Sequence, residues 1–145
     1  MPLTRDEDIA ELLTNARTVA MVGASDRPSR ASYGVMQFLQ DHGYRVFPVN
    51  PQIPGERIHG EFVWTELAQI GEPIDIVDIF RRSEMAGEAV DQAIFVGAKA
   101  VWMQLGVINE EAAARAEAAG LKVVMDRCPK IEIARLRLPA VAQTG

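Results

Sequence analysis

Two arginines stand side by side at Arg81-Arg82, behind an apolar run and directly ahead of Ser83. Guanidinium forks placed there can grip a phosphate through charge-assisted hydrogen bonds, and a helix opening at Ser83 would add free N–H groups. A second such place is Gly23-Ala24-Ser25, again behind an apolar run, with Arg27 and Arg30 in the loop that follows. Gly23 lets backbone approach a bound anion closely, but it equally suits a tight strand exit. The alternative for Arg81-Arg82 is a solvated loop end. The residue types alone leave both pairs of readings open.

Other chemistry is poorly supplied. His42 lies in Asp41-His42-Gly43, a helix-stop context in which an imidazole favours the C-terminal dipole. His59 falls in an irregular segment without an evident partner. Asp75 and Asp78 share a strand pattern that sends them to opposite faces, so they make no acid–base pair. Met21, Met103 and Met125 read as core filler. A single cysteine excludes an internal disulfide framework and a cysteine-rich zinc site, and two histidines are too few to build a metal centre. The formal net charge is -5 and no basic stripe is visible, which argues against a nucleic-acid partner. An anionic ligand must then be held by local donors rather than by the overall field.

The elements that would position these residues alternate regularly. Thr4 and Glu7 have capping-box spacing and predict the start of a first helix, with Ile9, Leu12 and Leu13 on its inner face. Thr18–Val22 reads as a buried strand and Ser32–His42 as a helix stopped by Gly43. Arg45–Val49 is a second strand whose end, at Pro48, is expected to lie outside full ladder pairing. Residues 50–64, rich in Pro and Gly, are the least regular internal segment. Ile74–Phe80 is a strand, Ser83 can cap a helix that stops at Gly97, and Ala100–Met103 is the next strand. Asn109 can cap a helix ending at Gly120. Lys122–Met125 is the last strand, and Pro129 opens a helix through Arg137.

This order predicts an α/β chain: one Rossmann-like, doubly wound domain with about five parallel strands and helices on both faces. Residues 1–138 would form the domain and 139–145 a loose tail. With 145 residues, 48% apolar and 24% charged, one globular domain is the expectation. The acidic amino terminus lacks an apolar signal core, and no run approaches the length of a membrane span. A soluble, cytoplasmic protein without a membrane partner follows as the expectation.

Ligands of open parallel sheets bind beyond the carboxyl ends of the strands. Those ends supply the candidate site: Gly23, Ala24, Ser25, Arg27 and Arg30; Asn50 and Pro51; Phe80, Arg81, Arg82 and Ser83; Met103, Gln104, Leu105 and Gly106. A nicotinamide dinucleotide is weakened as the ligand because G-x-G-x-x-G is absent and Asn50 stands where a ribose-binding carboxylate would.

Across those same ends the chain resembles the small, stand-alone CoA-binding protein family. That family is related in fold to the amino-terminal CoA-binding domain of the succinyl-CoA synthetase alpha subunit. The matching segments are Val22-Gly23-Ala24-Ser25, Pro48-Val49-Asn50-Pro51, Val77 through Ser83, Val101 through Gly106, and Met125 through Lys130. The resemblance implies coenzyme A, or an acyl-CoA, as ligand. Gly23, Ala24 and Ser25 would approach its phosphates with Arg81 and Arg82 nearby, and Met103, Gln104, Leu105 and Gly106 would border the pantetheine arm. Ligase activity does not transfer, since the synthetase's phosphohistidine domain has no counterpart. The implied role is a carrier, sensor or adaptor; a ligase or transferase component needing a partner chain, and a NAD or adenine-nucleotide regulator, are the alternatives. Cys128, between Arg127 and Lys130, reads either as a small core residue or as a thiolate able to exchange with the CoA sulfur.

Overall fold

The computed structural model describes residues 1–141. Helix α1 (Asp6–Asn15) starts without the expected capping box. Its N-cap is Arg5, whose Nε donates to Glu7 at 3.1 Å, so the side chain meant to reach back to residue 4 is held elsewhere. Strand β1 (Thr18–Val22), helix α2 (Ala31–Asp41) and strand β2 (Arg45–Val49) follow. A two-stranded hairpin, β3 (Arg57–Ile58) and β4 (Glu61–Phe62), occupies the irregular segment. Then come β5 (Ile76–Ile79), α3 (Ala86–Val96), β6 (Ala100–Met103), α4 (Glu110–Ala118), β7 (Lys122–Val124) and α5 (Pro129–Arg135).

The five longer strands form one parallel sheet in the order β2-β1-β5-β6-β7. Counted along that sheet alone the order is 2-1-3-4-5, a doubly wound, Rossmann-like arrangement as predicted. Alternation along the strands sends Ala20, Val22, Val77, Ile79, Val101 and Met103 toward α3 and α4. Val19, Met21, Ile76, Ala100 and Trp102 face α1, α2 and α5. Both faces are covered, which is why the strands of this sheet, apart from their first residues and Asp78 in β5, read as continuous apolar runs. Among the described residues, no helix is long and apolar enough to cross a membrane.

Several caps behave as the sequence predicts. Asn109 accepts from the Ala112 N–H at 3.0 Å, α3 ends on left-handed Gly97, and Pro129 opens α5. Helix α5 stops at Arg135, two residues earlier than expected. Pro48, contrary to expectation, is fully inside the ladder, in register with Met21. β2 is an edge strand and Pro48 turns its backbone outward, where its carbonyl accepts from Trp64 N at 2.9 Å, so the missing N–H breaks no ladder bond. Past α5, Val141 N donates to the His42 carbonyl at 2.9 Å and His42 Nε2 meets the Pro139 carbonyl at 2.9 Å. The described end of the segment expected to be loose is thus fastened to the foot of α2; residues 142–145 lie outside the described part.

Two buried acids show opposite solutions. Glu132 is 5% exposed, yet hydrogen bonds from Arg135 and Arg127 outweigh its burial and hold its carboxyl below the ordinary value. Arg135 also reaches Asp6 at 2.8 Å, tying α5 to α1. Asp78 is completely buried in β5, between Met21 and Trp102 in register, and neither carboxylate oxygen has a partner. Burial alone pushes this acid well above the carboxylate range. The folded state therefore favours neutral Asp78. Its contribution to stability is complete below the unfolded value of about 4 and is lost as pH rises toward the folded one. Asp78→Asn removes the titration. Its unfolding free energy minus that of the native chain should climb above pH 4, by up to about 1.4 kcal/mol per pH unit. Denaturant unfolding from pH 4 to 8 measures this, and a pH-independent difference would contradict it.

Candidate functional site

The sheet reverses its winding between β1 and β5, and the chain leaves both strands at the same height. Gly23, with φ at 87°, follows β1 and donates its N–H to the Val49 carbonyl at 2.9 Å. Phe80 follows β5 and donates to the Val22 carbonyl at 2.8 Å. A Cβ on residue 23 would sit 2.1 Å from the Phe80 carbonyl oxygen, so only glycine fits this exit. The tight-exit reading of Gly23 is correct, and it places the next loop directly over the switch point.

That loop is braced from both sides. Asn50 Nδ2 donates to the Ala24 carbonyl at 2.8 Å while its Oδ1 accepts from Gln52 N at 2.8 Å, so the ends of β1 and β2 are tied through one side chain. The Ser25 hydroxyl accepts from Arg27 N at 3.1 Å. Between these loops lies a hollow of about 530 Å³, lined by Gly23, Ser25, Arg27, Arg30, Asn50 and Phe80 among others. Asp26, Ser32, Gln52 and Ile53 also line it, and sequence reading did not single them out. The irregularity of residues 50–64 was the available signal for Gln52 and Ile53. Asp26 lies beside Glu56, whose carboxyl is pushed up by a hydrogen bond to Asp26 and by its charge.

On the other side of β1, Pro51 and Arg81 line a smaller hollow of about 230 Å³ with Val22, Val49 and Met85. The Arg81 side chain runs past Gly23, its Cδ 3.2 Å from the space a Cβ would take there. Among the described residues Arg27, Arg30 and Arg81 have no carboxylate partner, whereas Arg82 pairs with exposed Glu84 at 3.3 Å. The adjacent arginines therefore differ: Arg81 runs past the switch point, and Arg82 is held in an ion pair with Glu84.

Ser83 does not cap α3. It opens a short turn of 3-10 helix ahead of α3, and its hydroxyl donates to the Gly106 carbonyl at 3.2 Å and accepts from Ile108 N at 2.9 Å. It fastens the β5 and β6 exits together. Gly106 N donates to Asp126 at 2.7 Å. Met103 is wholly buried against the α3 and α4 layer, so its side chain is closed off from the sheet edge. Gln104 is 7% exposed, and Leu105 stands out at 54% beside a further hollow of about 570 Å³ that also touches Cys128. Cys128 itself is buried with Trp102 and Ile133, as a small core residue would be.

The remaining candidates serve structure. Asp75 accepts from the N–H groups of Arg17 at 2.7 Å and Thr18 at 3.2 Å and meets Lys99 at 3.3 Å, at the opposite end of the strands. These donors overcome its burial and hold it below its ordinary value. His59 Nε2 meets the Tyr33 carbonyl at 2.8 Å. Among the described residues no three acidic, His or Cys side chains gather as a metal site would require.

Comparison with known proteins places this arrangement. Residues 17–134 match the model of a CoA binding domain. The chain is 40% identical over 124 residues to the uncharacterized protein YneT of Bacillus subtilis, covering 86% of this chain and 90% of that one. A hypothetical protein from Pyrococcus horikoshii superposes with a TM-score of 0.89 at 41% identity, covering 94% of this chain and 96% of its own. Over 95 residues the chain is 27% identical to the alpha subunit of an ADP-forming acetate–CoA ligase of Pyrococcus furiosus, and it spans 21% of that subunit. By its sequence and its fold, the chain belongs to the CoA-binding domain family.

Proposed function

We propose that this chain binds coenzyme A or an acyl-CoA, without covalent attachment, at the carboxyl edge of its sheet, as a carrier, sensor or adaptor. The observation that carries this reading is the set of three unpaired guanidiniums, Arg27, Arg30 and Arg81, around Gly23 in a chain of net charge -5. Acidic side chains outnumber basic ones, 20 to 15, so arginines left without carboxylates at one edge favour an outside anion. CoA brings a pyrophosphate and a 3′-phosphate, and a phosphate monoester alone carries about -1.5 to -2 charges at neutral pH. The hollow beside Ser25 suits the phosphate-bearing end. Phe80, and farther along the edge exposed Leu105, offer apolar surface to a pantetheine arm. The ligation named for the Pyrococcus furiosus subunit belongs to a much longer chain, so binding rather than turnover is the activity proposed.

Ligand-free protein should be stabilised by roughly 2.7 kcal/mol when CoA is present at about 100 times its dissociation constant. Thermal unfolding with CoA, acetyl-CoA, NAD and ATP tests this. CoA and acetyl-CoA should raise the midpoint more than NAD or ATP does, and no shift with CoA, or a larger one with NAD, would contradict the proposal.

The two adjacent arginines should also separate in solution. Arg81→Ala removes a charge-assisted contact and should weaken CoA binding by about 1.5–3 kcal/mol, whereas Arg82→Ala should change it by less than about 0.5 kcal/mol. Calorimetric titration of both variants with CoA and dephospho-CoA measures the difference and identifies which phosphate Arg81 meets. Equal losses, or none, would overturn the assignment.

A further inference from the structure

Among the described residues, Asp78 and Gln104 are the two that bury side-chain polar atoms without partners. Both carboxylate oxygens of Asp78 and Oε1 of Gln104 are enclosed and make no hydrogen bond. Asp78 is 0% and Gln104 7% exposed. Buried polar groups are almost always bonded, because leaving one unmet is costly. Two such groups, side by side, call for a shared explanation.

The register supplies their relation. Asp78 pairs with Trp102, and Gln104 is two residues beyond Trp102, so alternation returns it to the same face of the sheet. The Gln104 N–H still bonds the Ile79 carbonyl at 3.3 Å, which carries the ladder past the last residue of β6. The two side chains are therefore diagonal neighbours on adjacent strands, yet no hydrogen bond joins them directly. A single intervening water would serve both, since a buried water needs two or more polar partners. Gln104 Nε2 has no partner either, but it is not among the enclosed atoms, so the amide has an inner oxygen and an outer NH2.

We propose that Asp78 is a positioning residue for Gln104: through one buried water its carboxyl holds the amide oxygen inward and leaves the NH2 group facing the sheet edge as a donor. A carboxylic acid that keeps its proton can donate to the water, which then donates to Oε1. An ionised one would only accept. The burial that disfavours ionisation thus makes Asp78 the donor to the water, which keeps its own hydrogens for Oε1. The outward donor would meet an acceptor on the ligand, a carbonyl of the kind an amide-containing arm provides. This last step rests on the proposed CoA reading; the Asp78–water–Gln104 link does not.

The test therefore has one arm without ligand and one with it. In ligand-free protein, the Gln104 side-chain amide resonances, identified by their loss in Gln104→Ala, should be unchanged in Asp78→Asn, which can still donate. They should move to the values of a free glutamine in Asp78→Leu, which cannot. Trp102 is fully buried beside Asp78 on the strand that leads to Gln104, and its ring protons should show cross-relaxation to a long-lived water in the native chain. Unchanged amide signals in a folded Asp78→Leu, or no water signal at Trp102, would overturn the link. With CoA, Gln104→Ala and Asp78→Leu should each weaken binding by about fivefold, the scale of one neutral hydrogen bond. The double variant should lose no more than either single one, and Asp78→Asn should remain within about twofold of native. Additive losses, or an Asp78→Asn as weak as Asp78→Leu, would overturn the positioning role. Absence of CoA binding by the native chain would sink the ligand reading while the first arm still decides the link.

Discussion

A side chain on residue 23 would collide with the carbonyl of Phe80, and most of the site follows from that contact. The strands β1 and β5 are neighbours, and their chains must part in opposite directions just where the Phe80 carbonyl fills the space beside Gly23. With glycine there, in a left-handed conformation, the β1 loop crosses the sheet edge at backbone distance. Any larger residue would lift the loop and open the ladder bond from Phe80 N to Val22. The Asn50 bridge to Ala24, the hollow beside Ser25 and the path of Arg81 past Gly23 all depend on that low crossing.

Charge is distributed around this edge in a consistent way. Several arginines elsewhere find carboxylates: Arg135 with Asp6 and Glu132, Arg127 with Glu132, Arg45 with Glu72, Arg115 with Asp91, while Arg17 and Arg57 bond backbone carbonyls. Arg135 joins α5 to α1 through Asp6, and the pairs on Glu132 hold Arg135 and Arg127 in place. Exposed pairs of this kind contribute little to stability, so their interest lies in what they leave over. Arg27, Arg30 and Arg81 remain unpaired at the one place where the fold exposes strand-end backbone and a loop N-terminal to a helix. Arginines free of ion pairs at this edge, among Asp26, Glu66 and Glu88, suit a discrete anionic group on a ligand with an apolar arm better than a polyanionic surface.

Much of this was legible in the chain because it is written in local signals. Continuous apolar runs, Asn109, Pro129 and Gly97 mark their own elements, and the strand ends could be read off as a site before any sheet order was known. What escaped reading depends on neighbours distant in sequence. Thr4 and Glu7 have the spacing of a cap, but Arg5 competes for the glutamate. Pro48 looks like a ladder breaker until β2 proves to be the edge strand. Ser83 has the chemistry of a helix cap and is instead taken by the β6 loop. Met103 belongs to the right strand end, but alternation turns it into the α3 and α4 core, and nothing local reveals which face that is. Asp78 carries no local sign that it lies in the centre of the sheet, between β1 and β6.

The most direct measurement is a titration of CoA into isotopically labelled, ligand-free protein, followed through backbone amide resonances. Saturable shifts centred on Gly23, Ala24, Ser25, Phe80 and Arg81, with little change at the opposite strand ends around Asp75, Lys99 and Lys122, are the predicted result. Shifts centred on Asp75, Lys99 and Lys122, where a separate hollow of about 490 Å³ lies, or no saturable shift at all, would contradict it.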